Sequence, residues 1–266
     1  MRVRRLVAFA AGAVLVLACG LASAAIKEKS KSFTVPGGTT AEETVKCKRG
    51  QEAVAGGFLS ASNDVIPRDF VREGKRRWRL RSNNLNASDP GSEATVDVIC
   101  AKPRFGLKAK SVTDSVVSPF DSVSVRCSRS RKVVFGGFEI PGGLGPIVSS
   151  SRRTSKREWT VATINEGSPH GITVTAYCDK RDDGLKEKTV TETLPNGGND
   201  TITARCARGQ RVVSGGYDGE FDLGAFEIAR TFGSRRAGRR KWQISGYGNA
   251  GDPDLTAYAY CEKKEK

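Results

Sequence analysis

The chain has 266 residues, with 44 lysines and arginines against 29 acids, a formal charge of +15, 30 glycines and a single histidine. With one histidine, no Gly-x-Ser-x-Gly and no phosphate loop, catalytic triads, zinc proteases and nucleotide enzymes have no anchor here. We expect no catalytic residue, no metal site, no cofactor and no enzyme activity, and a turn-rich all-β chain from the glycine-rich, methionine-poor composition.

Residues 1–24 read as a signal peptide. Arg2, Arg4 and Arg5 form a basic start, Leu6 to Leu17 is a short apolar run, and Ala22-Ser23-Ala24 is a small-x-small cleavage site. Three other readings stay open: Val16-Leu17-Ala18-Cys19 is an imperfect lipobox, Arg4-Arg5 is a poor twin-arginine signal that lacks most of the surrounding pattern, and the segment could stay uncleaved as an anchor. Cleavage near Ala24-Ala25 removes three arginines and no acid, so the exported product stays strongly basic. No other stretch is apolar enough to span a bilayer, and a secreted, extracellular location follows.

After the leader, one pattern occurs three times. Nine residues beyond Cys47, Cys127 and Cys206 begin Gly56-Gly57-Phe58, Gly136-Gly137-Phe138 and Gly215-Gly216-Tyr217. A lone tryptophan follows in each copy (Trp78, Trp159, Trp242), then a closing cysteine (Cys100, Cys178, Cys261). The copies occupy residues 25–105, 106–184 and 185–266. Six cysteines in an exported chain imply disulfides, and of the 15 possible pairings the repeat selects Cys47–Cys100, Cys127–Cys178 and Cys206–Cys261. Each closes a loop worth roughly 4 kcal/mol in the chain-entropy account.

Each copy opens on a basic signature: Ile26-Lys27-Glu28-Lys29-Ser30, Leu107-Lys108-Ala109-Lys110-Ser111 and Leu185-Lys186-Glu187-Lys188-Thr189. Alternation then marks strands. Val123, Val125 and Cys127 share a face, as do Ile202, Ala204 and Cys206. A strand through Val133-Val134-Phe135 runs into the glycines, which suggest a bulge or a close backbone approach. Trp78 with Leu80, Trp159 with Val161 and Trp242 with Ile244 begin another strand, and their shared face places the tryptophans in the core. The strand before each closing cysteine alternates too, through Val96-x-Val98, Ile172-x-Val174-x-Ala176 and Leu255-x-Ala257-x-Ala259. Five or six strands per copy and no amphipathic helix predict three tandem antiparallel β units, each closed by one disulfide. Short, equal joints favour stacked sandwiches or a pseudo-threefold arrangement over beads on a string.

The candidate ligand-binding residues are the basic clusters before each tryptophan: Lys75, Arg76, Arg77 and Arg79; Lys156 and Arg157; Arg235, Arg236, Arg239 and Arg240. Basic residues also recur beside the first cysteine, at Lys46, Arg126 and Arg205 and at Arg49, Arg129 and Arg208, and two places after the closing one. Three such patches attract polyanions by counterion release and steering. The competing reading is a solvated surface whose charges discourage strand-edge pairing. Tyr177, Tyr258 and Tyr260 are expected to be the better exposed aromatics, on the face opposite the closing-strand core, where they either pack on a neighbouring copy or contact a glycan. Asp218-Gly219-Glu220-Phe221-Asp222 spaces three carboxylates like half a calcium loop, but lacks the rest of the ligand pattern and reads as a solvated loop.

The Cys-x8-Gly-Gly-Phe/Tyr…Trp…Cys unit, over residues 26 to 263, resembles repeats in secreted proteins of GC-rich Gram-positive bacteria. Its Cys…Gly-Phe…Cys cadence is similar to vitelline membrane outer layer proteins, a threefold β-prism family with shorter repeats. Neither resemblance supplies a catalytic residue. The expected function is non-catalytic binding of an anionic polymer, such as a wall glycan, lipopolysaccharide or extracellular nucleic acid, by repeated basic hairpins. The alternative is a structural or envelope protein that binds another protein through sheet faces or loops. A hydrolase built on a carboxylate pair is the remaining reading, with no residue pair singled out for it.

Overall fold

The computed structural model describes residues 26–102, 106–117, 119–142, 145–165, 167–180, 185–222 and 227–263. The expected signal peptide and Cys19 lie outside the described residues. The described elements are all strands. The first repeat supplies β1 (Lys27–Val35), β2 (Thr40–Lys46), β3 (Glu52–Ser60), β4 (Val65–Glu73), β5 (Arg77–Asn84) and β6 (Ser92–Ala101). The second supplies β7 (Lys108–Val116), β8 (Phe120–Arg126), β9 (Lys132–Glu139), β10 (Ile147–Ser155), β11 (Glu158–Ile164) and β12 (His170–Asp179). The third supplies β13 (Lys186–Thr193), β14 (Asn199–Arg205), β15 (Gln210–Gly219), the two-residue β16 (Phe221–Asp222), β17 (Glu227–Arg236), β18 (Lys241–Gly248) and β19 (Asp254–Lys263).

The strands form three antiparallel sheets, each with six strands in its main order and the first with a seventh, β16, paired to β17 at its side, and no sheet belongs to a single repeat. The first runs β1-β6-β3-β17-β18-β14, the second β2-β5-β4-β9-β12-β7, the third β13-β19-β15-β10-β11-β8. Each repeat therefore gives three strands to one sheet and three to the next. Neighbouring repeats meet at a seam of two residue pairs: Phe58 and Leu59 with Ser234 and Gly233, Phe70 and Asp69 with Phe138 and Glu139, Tyr217 and Asp218 with Ser151 and Ser150. The seams link repeats one to two, two to three and three to one, so the ring closes in the pseudo-threefold sense.

The three disulfides form as the repeat requires, Cys47–Cys100, Cys127–Cys178 and Cys206–Cys261. Each ties two different sheets. Cys47 follows β2 in the second sheet while Cys100 lies on β6 in the first; the other bridges join second to third and third to first.

The Gly-Gly pair is explained by what lies against it. A Cβ on the first glycine would fall 2.2 Å from the Trp78 ring at Gly56, and 2.3 Å from Trp159 at Gly136 and from Trp242 at Gly215. On the second glycine it would meet the neighbouring repeat: Arg235 Cβ at 3.0 Å from Gly57, the Phe70 carbonyl at 2.3 Å from Gly137 and the Ser151 carbonyl at 2.6 Å from Gly216. One glycine admits the tryptophan and the other lets the seam close. A register shift sits just before the pair in each copy, so the expected bulge and the expected close approach are both present.

All three tryptophans are buried in one continuous apolar core. The position before the glycines is Ala55, Phe135 and Ser214 in the three repeats. Phe135 alone fills the middle, its ring centroid 5.3 Å from those of Trp78 and Trp159 and 6.2 Å from that of Trp242. Three aromatic side chains would overfill that space; one aromatic with two small residues fits it. Tyr177 and Tyr260 are buried, not exposed as their strand face suggested, because they pack on the neighbouring copy. Their rings lie against Trp78 and Trp159, and their hydroxyls accept from the backbone N–H of Arg72 and Arg153.

Candidate functional site

Two turns of each repeat are locked together by the main chain. In the first, the Cys47 N–H donates to the Arg76 carbonyl (2.8 Å) and the Ala53 N–H to the Lys75 carbonyl (2.9 Å). The second repeats this through Cys127 to Arg157 and Val133 to Lys156, the third through Cys206 to Arg240 and Val212 to Arg239. The basic pair of each hairpin thus spends its carbonyls on the cysteine loop; the side chains of Lys75, Lys156 and Arg239 are exposed, those of Arg76 and Arg240 half-exposed, and that of Arg157 folds back onto the Cys127 carbonyl. The second lysine of the opening signature braces the same place: Lys29 Nζ donates to the Lys46 carbonyl and Lys110 Nζ to the Arg126 carbonyl, each at 2.8 Å.

All these turns emerge at one end of the molecule. In the first sheet β3 leaves from this end and β17 returns to it, with Phe58 opposite Ser234. The second and third sheets have the same sense through β9 with β4 and β15 with β10. The disulfides pin these sheet ends together in pairs. The chain turns around there through 47–51, 74–76, 127–131, 156–157, 206–209 and 237–240. Among the described residues these turns carry Lys48, Arg49, Lys75, Arg76, Arg129, Arg131, Lys156, Arg157, Arg208, Arg239 and Arg240 and no acid, although Glu73 and Glu158 flank the hairpin turns of the first and second repeats at the adjoining strand ends. The opposite end is different. Among the described residues, the connections there (36–39, 61–64, 85–91, 117, 119, 140–142, 145–146, 165, 167–169, 194–198, 220 and 249–253) contain no lysine or arginine and include Asp64, Asp89, Glu220 and Asp252.

In the third repeat the basic end is concave. A groove of about 810 Å³ lies between the cysteine loop and the hairpin, lined by Arg205, Arg208, Gly209, Gln210, Ala237, Gly238, Arg239, Arg240 and Lys241. It holds five cations and no carboxylate.

Seven of the ten residues singled out from the sequence lie at this end: Lys75, Arg76, Arg77, Lys156, Arg157, Arg239 and Arg240. Three do not serve it. Arg79 sits on the outer face of the second sheet within reach of Asp69 (2.6 Å), Glu139 (2.8 Å), Glu73 (2.9 Å) and Glu42 (3.4 Å). Arg236 is buried at the seam, 3.8 Å from Glu28 of the first repeat, and burial lowers its pKa. Arg235 lies over Gly57 on the same seam. Arg205, Arg208 and Lys241 complete the groove. The recurrence of Arg205 and Arg208 beside the cysteine was visible in the sequence; their contact with a hairpin some 30 residues away was not.

The seam also holds a half-buried acid, Glu28, and a buried one, Asp97. Burial raises the carboxyl of Glu28 to about 7, helped by the nearby charge of Asp97 and opposed by Arg236 and Arg235. Burial likewise raises Asp97, with Ser30 and Arg235 opposing. Asp218 of the acidic loop pairs with Arg152 at 2.7 Å and Glu220 accepts from the Asp254 N–H; the side chain of Asp222 lies outside the described residues. No cluster of three metal-ligating side chains occurs among the described residues. No described helix is long and apolar enough to cross a membrane. No protein-family model matches the chain, and no curated protein matches it in sequence.

Proposed function

We propose that this is a secreted, non-catalytic binding protein that engages anionic polymers end-on, through the basic turns of its three repeats. The observation that carries the reading is the polarity of the molecule: cationic turns from all three repeats at one end, and, among the described residues, no lysine or arginine in the connections of the other. Three disulfides suit an oxidising compartment outside the cytoplasm. The mechanism is multivalent. Each turn pair gains by releasing counterions from the polymer, the charge asymmetry orients the approach, and three turns on one rigid frame bind a spanning ligand more tightly than any one alone.

Retention on heparin and on phosphocellulose tests this. The native protein is expected to elute later than a neutral control of similar size, with a strong dependence on salt. Reversing Arg76, Arg157 and Arg240 together to Glu should abolish the difference. Elution of the native protein with the control would refute the reading. Unchanged retention of the triple variant would move binding away from this end.

A further inference from the structure

The three basic ends are homologous but not equivalent. Lys241 of the groove corresponds to Arg77 in the first repeat and to Glu158 in the second; Ala237 corresponds to Glu73 and Thr154. In the first repeat Glu73 therefore sits among the cations, 3.8 Å from Arg77 and 2.9 Å from Arg79. In the second, Glu158 lies at the groove position itself, and Arg157 is turned back to donate to the Cys127 carbonyl at 2.8 Å. The third repeat has neither carboxylate. Gly238, at φ +103° with no heavy atom near its missing Cβ, leaves the groove open above the turn, as Gly74 does in the first repeat at φ +59°, so it is the absence of a carboxylate and not the glycine that sets the third repeat apart from the first.

We propose, resting on the polyanion-binding reading above, that the third-repeat groove is the anchor site and that it takes clustered phosphate groups, with the other two repeats adding weaker contacts along the polymer. Five cations around one concavity without an acid call for an occupant that brings several negative charges into the same small volume. A singly charged sugar carboxylate leaves most of that charge unmatched. Adjacent phosphates match it, and four of the five cations are arginines, whose planar forks bind phosphate oxygens in pairs.

Isothermal titration with inorganic tripolyphosphate tests the anchor. Two triple variants remove equal charge: Arg208→Ala, Arg239→Ala and Lys241→Ala in the third repeat, and Arg49→Ala, Lys75→Ala and Arg77→Ala in the first. The third-repeat variant is expected to lose about tenfold or more in affinity and the first-repeat variant no more than about threefold. The single change Lys241→Glu, which copies the second repeat, should also weaken binding several-fold while leaving the melting temperature in place. Equal losses in the two triple variants would overturn the anchor, as would native affinity in Lys241→Glu. Citrate should bind the native protein at least ten times more weakly than tripolyphosphate; equal affinity would overturn the phosphate assignment. Failure of the native protein to bind tripolyphosphate, with heparin retention intact, would sink this inference alone. Loss of both would sink the reading beneath it.

Discussion

Gly56, Gly136 and Gly215 share one job, which is to leave room for a tryptophan ring. A methyl group there has nowhere to go, because the atoms it meets belong to a buried ring held on all sides. Gly136→Ala is expected to destabilise the fold by about 3 kcal/mol or more, whereas Gly171→Ala, whose Cβ would come no nearer than 3.9 Å to Pro141, should be close to neutral. Chemical denaturation of both variants checks this, and equal midpoints would refute the packing account. The glycine pair and the buried tryptophans were legible because they recur. The central Phe135 was not, since its fit depends on Ala55 and Ser214 being small, a volume relation between positions about 80 residues apart. The hydrogen bonding of the tryptophans hid in the same way. Trp159 and Trp242 donate to Ser151 and Ser234 at 3.1 Å, while the corresponding residue for Trp78 is Phe70, and its Nε1–H has no partner.

At the level of strands, alternation identified what is buried but not what pairs with what. A period of two says which face of a strand is covered; it does not name the neighbour, and here half of each repeat is completed by another repeat. The seam charges follow that exchange. Arg153 reaches Glu187 of the third repeat at 3.5 Å and Arg236 reaches Glu28 of the first at 3.8 Å. The second repeat has Ala109 at that place in its signature, and Arg72 turns instead to Glu52 of its own repeat at 3.3 Å. Glu28 makes the ring-closing seam sensitive to pH. Its carboxyl is raised from an ordinary 4.5 to about 7, so between those values the folded state holds more protons than the unfolded chain. Its contribution to stability is therefore greatest below about 4.5, falls as pH rises to about 7, and stays low above. Glu28→Gln keeps the neutral form at every pH. The variant should match the native protein at pH 3.5 and exceed it at pH 7.5 by on the order of 1–2 kcal/mol, discounted for partial exposure. A variant less stable than the native protein at pH 7.5 would show instead that the Glu28–Arg236 ion pair dominates.

Over the whole molecule, sheet exchange turns three dispersed basic patches into one charged end. The sequence displayed the patches and their recurrence; it could not show that Cys47–Cys100, Cys127–Cys178 and Cys206–Cys261 draw the same end of all three sheets together, because that depends on which sheet each cysteine occupies. The consequence is a molecule with a direction, in which the polymer binding proposed for the cationic end would leave the other end facing outward. Amide chemical-shift mapping during titration with a short heparin fragment examines that directly. Shifts are expected to concentrate in residues 47–51, 74–77, 127–131, 156–158, 206–210 and 237–241, with those around 61–64, 85–91 and 249–253 unmoved. Shifts at the opposite end, or spread evenly over the outer sheet faces, would contradict it.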